Sequence, residues 1–253
     1  MATIVELHPS AHHYWYLDTN KIVQHGKALN LIPVVIDEIR QLIIDYPVVI
    51  TKRQDTGEFM LSALTGFSEG ENLFFEQEEW KSLYIPLQVQ RQPFFVSPVS
   101  EQENSVLPRL VMTIDEDSPA LIKDYNNADP LPQIQPLFNN DGSDGEVLTS
   151  AKQHLATIYK GESKTRQFIA TLLELDLIES LQLDIEFIDG SSVSVNGLYT
   201  IKEPHWQALD AQALHDLFRQ GYVNVIEAMI LSLAHLYRLI DLKNSRVSDD
   251  NVR

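Results

Sequence analysis

GFSEGENLFFEQEEWKSLYIPLQVQRQPFFV, residues 66–96, is the stretch on which the reading of this chain turns. Phe67, Phe74, Phe75, Trp80, Tyr84, Phe94 and Phe95 stand among glycines, two prolines and one isolated arginine, Arg91. Aromatic side chains dominate buried area, so Phe74, Trp80, Tyr84 and Phe94 at this density imply the core of a small β-subdomain. A second reading uses the same residues on the surface. Trp80 and Tyr84 would stack on a sugar ring or a peptide, and Arg91 would fork to a carboxylate. Asn72 either caps a turn or contacts the ligand. The candidate binding residues are therefore Asn72, Trp80, Tyr84, Arg91 and Phe94.

Outward from this block, the N-terminal side reads as strands around one helix. Apolar residues at helical spacing predict a helix over Pro33–Tyr46, ended by Tyr46-Pro47 because a residue before proline avoids the helical region. Val48–Thr51 is a β-branched run and predicts a strand. A turn at Gln54–Gly57 leads to a second strand at Glu58–Leu64. Strands are also expected at Leu83–Gln90, Phe94–Val99 and Leu107–Ile114. The Asn-, Pro- and Gly-rich segments up to Gly145 read as loop or linker.

From Glu146 the pattern is helical: Glu146–Tyr159 and Lys164–Ser180, split at Lys160-Gly161, with Ser163 as N-cap. Asp189-Gly190 signals a type I′ hairpin between Leu183–Ile188 and Ser192–Tyr199. Helices at Asp210–Arg219 and Tyr222–Leu242 follow, the last apolar on most of its circumference and hence mostly buried; the tail reads as frayed. The fold class is α+β. A strand-rich half with one helix (1–135) and a helix-rich half with a hairpin (136–253) are expected to share one core.

The chain has 253 residues and a net charge of −17. Nucleic acid binding depends on lysine and arginine displacing counterions, so the charge argues against it, and against anionic membrane surfaces. With no cysteine, disulfides, thiol redox chemistry, cysteine nucleophiles and thiolate metal sites are excluded. The N-terminal residues lack the basic and apolar regions of a signal peptide. No window reaches about 18–20 uninterrupted apolar residues, so no transmembrane segment is expected. The expectation is a soluble, cytoplasmic protein.

Motifs carrying chemistry are absent from the sequence. His8, His12 and His13 crowd one end, but no HxxxH, HxD or HxxE pattern sets ligands on one face. Asn139–Gly145 resembles a calcium loop only superficially: counted from Asn139, the obligatory glycine falls on Asp144 and the final glutamate on Ser150. GxSxG, Walker and GxGxxG signatures do not occur. No metal, cofactor or catalytic residue is assigned. Asp115-Glu116-Asp117 reads as a solvated strand end, with acid–base work as its alternative.

In order, the chain contains Tyr46-Pro47-Val48-Val49-Ile50, Ala63-Leu64-Thr65-Gly66-Phe67, Gly70-Glu71-Asn72-Leu73-Phe74 and Trp80…Tyr84-Ile85-Pro86…Arg91-Gln92-Pro93-Phe94. Leu137-Phe138…Asp141-Gly142, Gly197-Leu198-Tyr199-Thr200-Ile201 and Gly221 with Ser232-Leu233…Leu236…Leu239 complete the set. The pattern resembles the SapC family over roughly residues 12–242. Two positions depart from it: Val49-Ile50 replaces Ile-Val-Phe, and Met229 stands where a histidine is expected. The resemblance implies an accessory role in outer-membrane, TonB-dependent nutrient uptake, of oligosaccharides or peptides. A permease label attached to some members conflicts with the lack of an expected span.

Three functions follow as expectations. The first is a non-catalytic accessory protein engaging a partner protein or small ligand (oligosaccharide or peptide) through the 66–96 surface, possible as a homo-oligomer. The second is an enzyme acting on a carbohydrate or modified peptide through dispersed groups such as Asp115, Asp117 and His235. The third is a structural surface-layer component.

Overall fold

In the computed structural model, which describes residues 3–99, 109–123, 125 and 131–252, strands fill most of the N-terminal half and helices most of the C-terminal half, an α+β fold. Strands β1 (Ile4–Glu6) and β2 (Trp15–Asp18) flank helix α1 (Pro9–His12). Strand β3 (Leu31–Val34), the short helix α2 (Ile39–Leu42) and strands β4 (Val48–Lys52) and β5 (Phe59–Leu64) follow. Next come a small hairpin of β6 (Phe75–Glu76) and β7 (Glu79–Trp80), then helix α3 (Leu87–Gln90). Strands β8 (Phe94–Val99), β9 (Arg109–Asp115), β10 (Leu121–Lys123) and β11 (Ile134–Pro136) precede the long helix α4 (Glu146–Glu174). Last are the hairpin strands β12 (Ile178–Glu186) and β13 (Ser192–Ile201) and helices α5 (Glu203–Gln207), α6 (Ala211–Arg219), α7 (Tyr222–Ser232) and α8 (His235–Val252).

The chain divides into two units, each made from two segments: Met1–His25 with Leu87–Thr157, and Gly26–Pro86 with Ile158–Arg253. The boundary at 135/136 expected from the sequence falls inside the first unit. That unit holds two three-stranded antiparallel sheets, ordered β1-β9-β8 and β10-β2-β11. Its core gathers Leu17, Phe94, Ile114, Leu137 and Leu148. The second unit is built on one antiparallel sheet, β12-β13-β4-β5-β3. Its core includes Tyr46, Ile50, Leu61, Phe168, Leu198 and Met229. Buried apolar residues thus form two clusters where the sequence suggests one shared core.

Strand β4 lies between β13 and β5 and buries Val48, Val49, Ile50 and Thr51 without alternation, as a strand covered on both faces must. Residues 31–34, partly assigned to a helix from sequence, instead form β3. Pro33 lacks an N–H, and β3 is an edge strand, where that loss is tolerated. Leu83–Gln90 is not a strand: its second half is α3, directly after Pro86, whose fixed φ suits a helix start.

Gly161 does not break α4. A Cβ there would come within 2.7 Å of Val35 Cβ, so the glycine marks a close approach of the helix to the segment after β3. Ser163 lies inside the helix, and the predicted tail to Ser180 belongs to β12. The Asp189-Gly190 hairpin is longer than a two-residue turn. Phe187 and Ser191 pair across it, and only Gly190 has positive φ.

The last helix is broken at Leu233-Ala234 and continues to Val252 rather than fraying at 244. Ile226, Ala228, Met229 and Ser232 of α7 are buried, and Ser232 Oγ accepts the Val48 N–H at 2.9 Å. Leu231 and Tyr237 are exposed, so the helix is less buried than its composition suggests. By length and composition alone Tyr222–Ser248 would suffice to cross a membrane, with 22% of its most apolar window buried. Residues 100–108 and 126–130, part of the predicted strand and linker, lie outside the described residues.

Candidate functional site

The candidate binding residues divide between the units: Asn72, Trp80 and Tyr84 in the second, Arg91 and Phe94 in the first. In the second unit the aromatic block folds inward onto Tyr46, which is fully buried. Trp80 Nε1–H donates to Tyr46 Oη at 2.7 Å and to Ser82 Oγ at 2.5 Å. The Tyr46 hydroxyl contacts Ser82 Oγ and donates to the Tyr84 carbonyl at 2.6 Å. Tyr84's own hydroxyl donates to Glu38 Oε2 at 3.0 Å, and Glu38 Oε1 accepts the Val35 N–H at 3.0 Å.

Burial raises the pKa of the Tyr46 hydroxyl well above its usual value. Burial, then the neighbouring Glu38 carboxylate, does the same for Tyr84. Both phenols therefore stay protonated as fixed donors, an anchoring rather than an acid–base arrangement.

Asn72 takes the first of its two predicted roles. Its Nδ2 donates to the Gly26 carbonyl at 2.8 Å and its Oδ1 accepts the Phe74 N–H at 2.9 Å, so it ties the loop from within. Beside it, Glu71 accepts the Phe67 N–H at 2.9 Å and pairs with Lys243 at 2.6 Å. Arg246 donates to the Asn72 and Phe75 carbonyls at 3.1 and 2.8 Å. Helix α8 thus clamps the 66–75 loop. Gly66 is needed there because a Cβ would stand 2.5 Å from the Glu71 carbonyl oxygen.

With these polar ends turned inward, the most exposed large apolar side chain of the block is Leu83, 86% exposed, while the charged Glu76, Glu78, Glu79 and Lys81 also face solvent. Its backbone is fixed. The Leu83 N–H donates to Asp45 Oδ2 at 2.8 Å, Asp45 Oδ1 pairs with Arg238, and His235 Nε2 bonds the Ile43 carbonyl at 2.8 Å. Ile44, within that turn, is 51% exposed, and Leu231, one turn before His235, is 69% exposed. Sequence reasoning passed over Leu83, Ile44, Asp45 and Arg238. The chain around Leu83 matched a strand, and nothing local marks a carboxylate that reaches 38 residues along the sequence.

In the first unit Arg91 closes the corner between α3 and β8. It donates through Nε to Gln88 Oε1 and through Nη1 to the Phe94 carbonyl, both at 2.7 Å, and its guanidinium lies 4.3 Å from the centre of the Phe95 ring. Phe94 is buried in the core of that unit. The acidic turn after β9 is held by N-terminal residues. Thr3 Oγ1 donates to Asp117 Oδ2 at 2.7 Å, His12 Nε2 sits 3.5 Å from Glu116 Oε1, and His25 Nε2 bonds Ser118 Oγ at 3.0 Å.

The His25–Ser118 contact has the atoms of a base–nucleophile pair. Ser118 is buried, however, and its Oγ also accepts the Ala120 N–H, so the contact locks the turn. Burial lowers the His25 pKa, opposed by Asp115 and reinforced by Arg91. Asp115 and Asp117 belong to this unit and His235 to the other, each with partners of its own.

A family model described as SapC matches residues 7–239. No curated protein and no solved structure matches the chain.

Proposed function

The chain belongs to the SapC family, and from that premise we propose that it is a non-catalytic accessory protein that docks a partner protein through the tip of the 66–96 block. The observation that carries this reading is Leu83. A large aliphatic side chain stands 86% exposed on a backbone fixed by a buried carboxylate, between Ser82 and Tyr84, which both bind Tyr46. Loops that only connect elements are usually mobile and polar. This one has its backbone tied down at Leu83 and exposes one aliphatic side chain there, so less conformational entropy is lost when a partner covers it. Ile44 and Leu231 are further exposed apolar side chains of the same unit, and the Arg238–Asp45 pair adds a charged group at the carboxylate that holds Leu83.

The setting we propose is outer-membrane, TonB-dependent nutrient uptake, with the partner a component of that system. We read Tyr222–Ser248 as a core helix of the second unit, because Ser232 and Arg238 bond to groups of that unit and Met229 lies in its core.

Leu83→Asp tests the proposal without touching the anchors. An interface anchor lost in this way costs about 2 kcal/mol or more, a drop of about thirtyfold in affinity. Capture from native lysate should then lose an uptake component that the unaltered protein retains. The same component held equally by both proteins would refute the docking site.

A further inference from the structure

A separate cleft in the second unit has no role in the reading above. It is an open cleft of about 440 Å3, lined by Ile36, Asp37, Lys164, Gln167, Gln220, Gly221 and Tyr222, with Lys164, Gln167, Gln220 and Gly221 exposed at its rim. That volume lies within the range of about 300–1,000 Å3 common for small-molecule sites. Three rigid pieces form it. The 3-10 turn Ile36–Glu38 is tied to α4 by the Ile36 N–H donating to Thr165 Oγ1 at 2.9 Å, with Thr165 in turn donating to the Gly161 carbonyl at 2.8 Å. Helix α4 contributes Lys164 and Gln167, three residues apart and so neighbours on one face. The α6–α7 corner contributes Gln220, Gly221 at φ +77°, and Tyr222, whose ring meets the buried Phe168 edge-on at 5.0 Å.

The charges in the cleft are already matched, because Lys164 Nζ lies 2.5 Å from Asp37 Oδ1. A charged ligand would have to compete with that pair. The remaining polar groups have no such partner: among the described residues, neither the side-chain amides of Gln167 and Gln220 nor the Tyr222 hydroxyl bonds to the chain. Two primary amides supply four N–H donors and two carbonyl acceptors, and the phenol supplies one donor and one acceptor site. Planar amides with both donors and acceptors suit adjacent hydroxyl groups, while Ile36 provides apolar contact. We propose that this cleft binds an uncharged polyhydroxylated small molecule, a mono- or disaccharide being the simplest of that class. The inference does not depend on Leu83 or on any partner there.

The test is an NMR titration of the isotope-labelled full chain with a panel of neutral sugars and polyols (glucose, galactose, mannose, maltose, cellobiose, inositol), against glutamate and inorganic phosphate. At least one neutral probe should saturably shift the Gly221 amide and the Gln167 and Gln220 side-chain amides. Its affinity should be insensitive to about 0.5 M salt, since no ion pair forms. Gln167→Ala with Gln220→Ala, both at exposed positions, should weaken it by about tenfold or more. Tyr222→Phe should weaken it while leaving the Phe168 contact in place. The proposal is overturned if no neutral probe shifts these amides, if phosphate or glutamate shifts them in a salt-sensitive way instead, or if binding survives in the double variant.

Discussion

Gly161→Ala sets two physical effects of opposite sign against each other in the middle of α4. In an open helix, alanine would be favoured over glycine by about 1 kcal/mol. Here the new Cβ would lie 2.7 Å from Val35 Cβ, 2.8 Å from Val35 Cγ2 and 3.1 Å from Asp37 Oδ2. Val35 cannot rotate away: its Cβ is itself one of the crowded atoms, and a β-branched side chain is stiff at χ1. Nor is its backbone free, since the Val35 N–H is held by Glu38 and the next N–H by Thr165, one turn along α4 from the glycine. Overpacking of this kind costs about 1–3 kcal/mol, and two contacts below 3 Å put it near the upper end. The net expectation is a loss of about 2 kcal/mol. In urea unfolding, with a slope of about 1–3 kcal/mol per molar, the midpoint should fall by about 1 M. Val35→Ala removes one crowded atom pair and opens a small cavity. The double variant should therefore be less destabilised than the two single losses added, by about 1 kcal/mol of coupling. A midpoint that rises in Gly161→Ala, or strict additivity in the double variant, would refute the close approach.

Two further outcomes follow from local geometry. Asp176 ends α4 at φ +51°, with the Leu177 N–H reaching back to the Leu172 carbonyl at 2.8 Å and the Asp176 N–H to Leu173 at 3.1 Å, a position that favours glycine. Its carboxylate contacts, to Lys202 and His205, are exposed and screened. Asp176→Gly should therefore raise the thermal midpoint by about 1–2 °C, and a fall would show that those contacts outweigh the backbone strain. His25 and His154 both have their pKa lowered by burial from the usual 6.5, and His154 Nδ1 is buried without a partner. The unfolded chain then binds protons that the folded one does not, so this stability is complete above about pH 6.5 and is lost as the pH falls toward the folded values. Urea midpoints should drop between about pH 7.5 and 5.5 and drop less in His25→Asn with His154→Gln; an equal fall in both proteins would acquit these histidines.

Much of the second unit's sheet was legible because its signals are local. The β-branched run at 48–51, the glycine turn at 54–57 and the hairpin around Gly190 each specify a strand or a turn within a few residues. The failures share a different cause. Gly161 looks like a breaker because sequence shows its cost to a helix and not the Val35 side chain that needs its space. Pro33 sits in a helical pattern because the pattern cannot reveal that β3 is an edge strand. The division into interleaved units was also out of reach, since a single composition shift near residue 135 cannot show that Gly26–Pro86 packs with Ile158–Arg253.

The aromatic block stands out in the sequence, which leaves open whether its polar ends turn to the core or to a ligand. Sequence identifies Trp80 and Tyr84 as amphipathic, but the direction of the polar end depends on what lies beneath. Here that is Tyr46 and Glu38, contributed from 34 and 46 residues earlier. The motif residues that carry the family resemblance are thus committed to shape: Tyr46 receives the Trp80 indole and holds the Tyr84 carbonyl, Asn72 ties Gly26, and Gly66 admits Glu71. Groups whose hydrogen bonds are already made inside the protein have little left to offer a ligand. Whatever this shape serves must then be done by side chains that the clamp positions without consuming. Leu83 meets that condition, because its backbone is fixed by Asp45 while its side chain makes almost no use of the core. The same reasoning turns attention from Trp80 to Leu83: Trp80→Ala would remove an internal anchor along with any surface, whereas Leu83→Asp alters the surface alone.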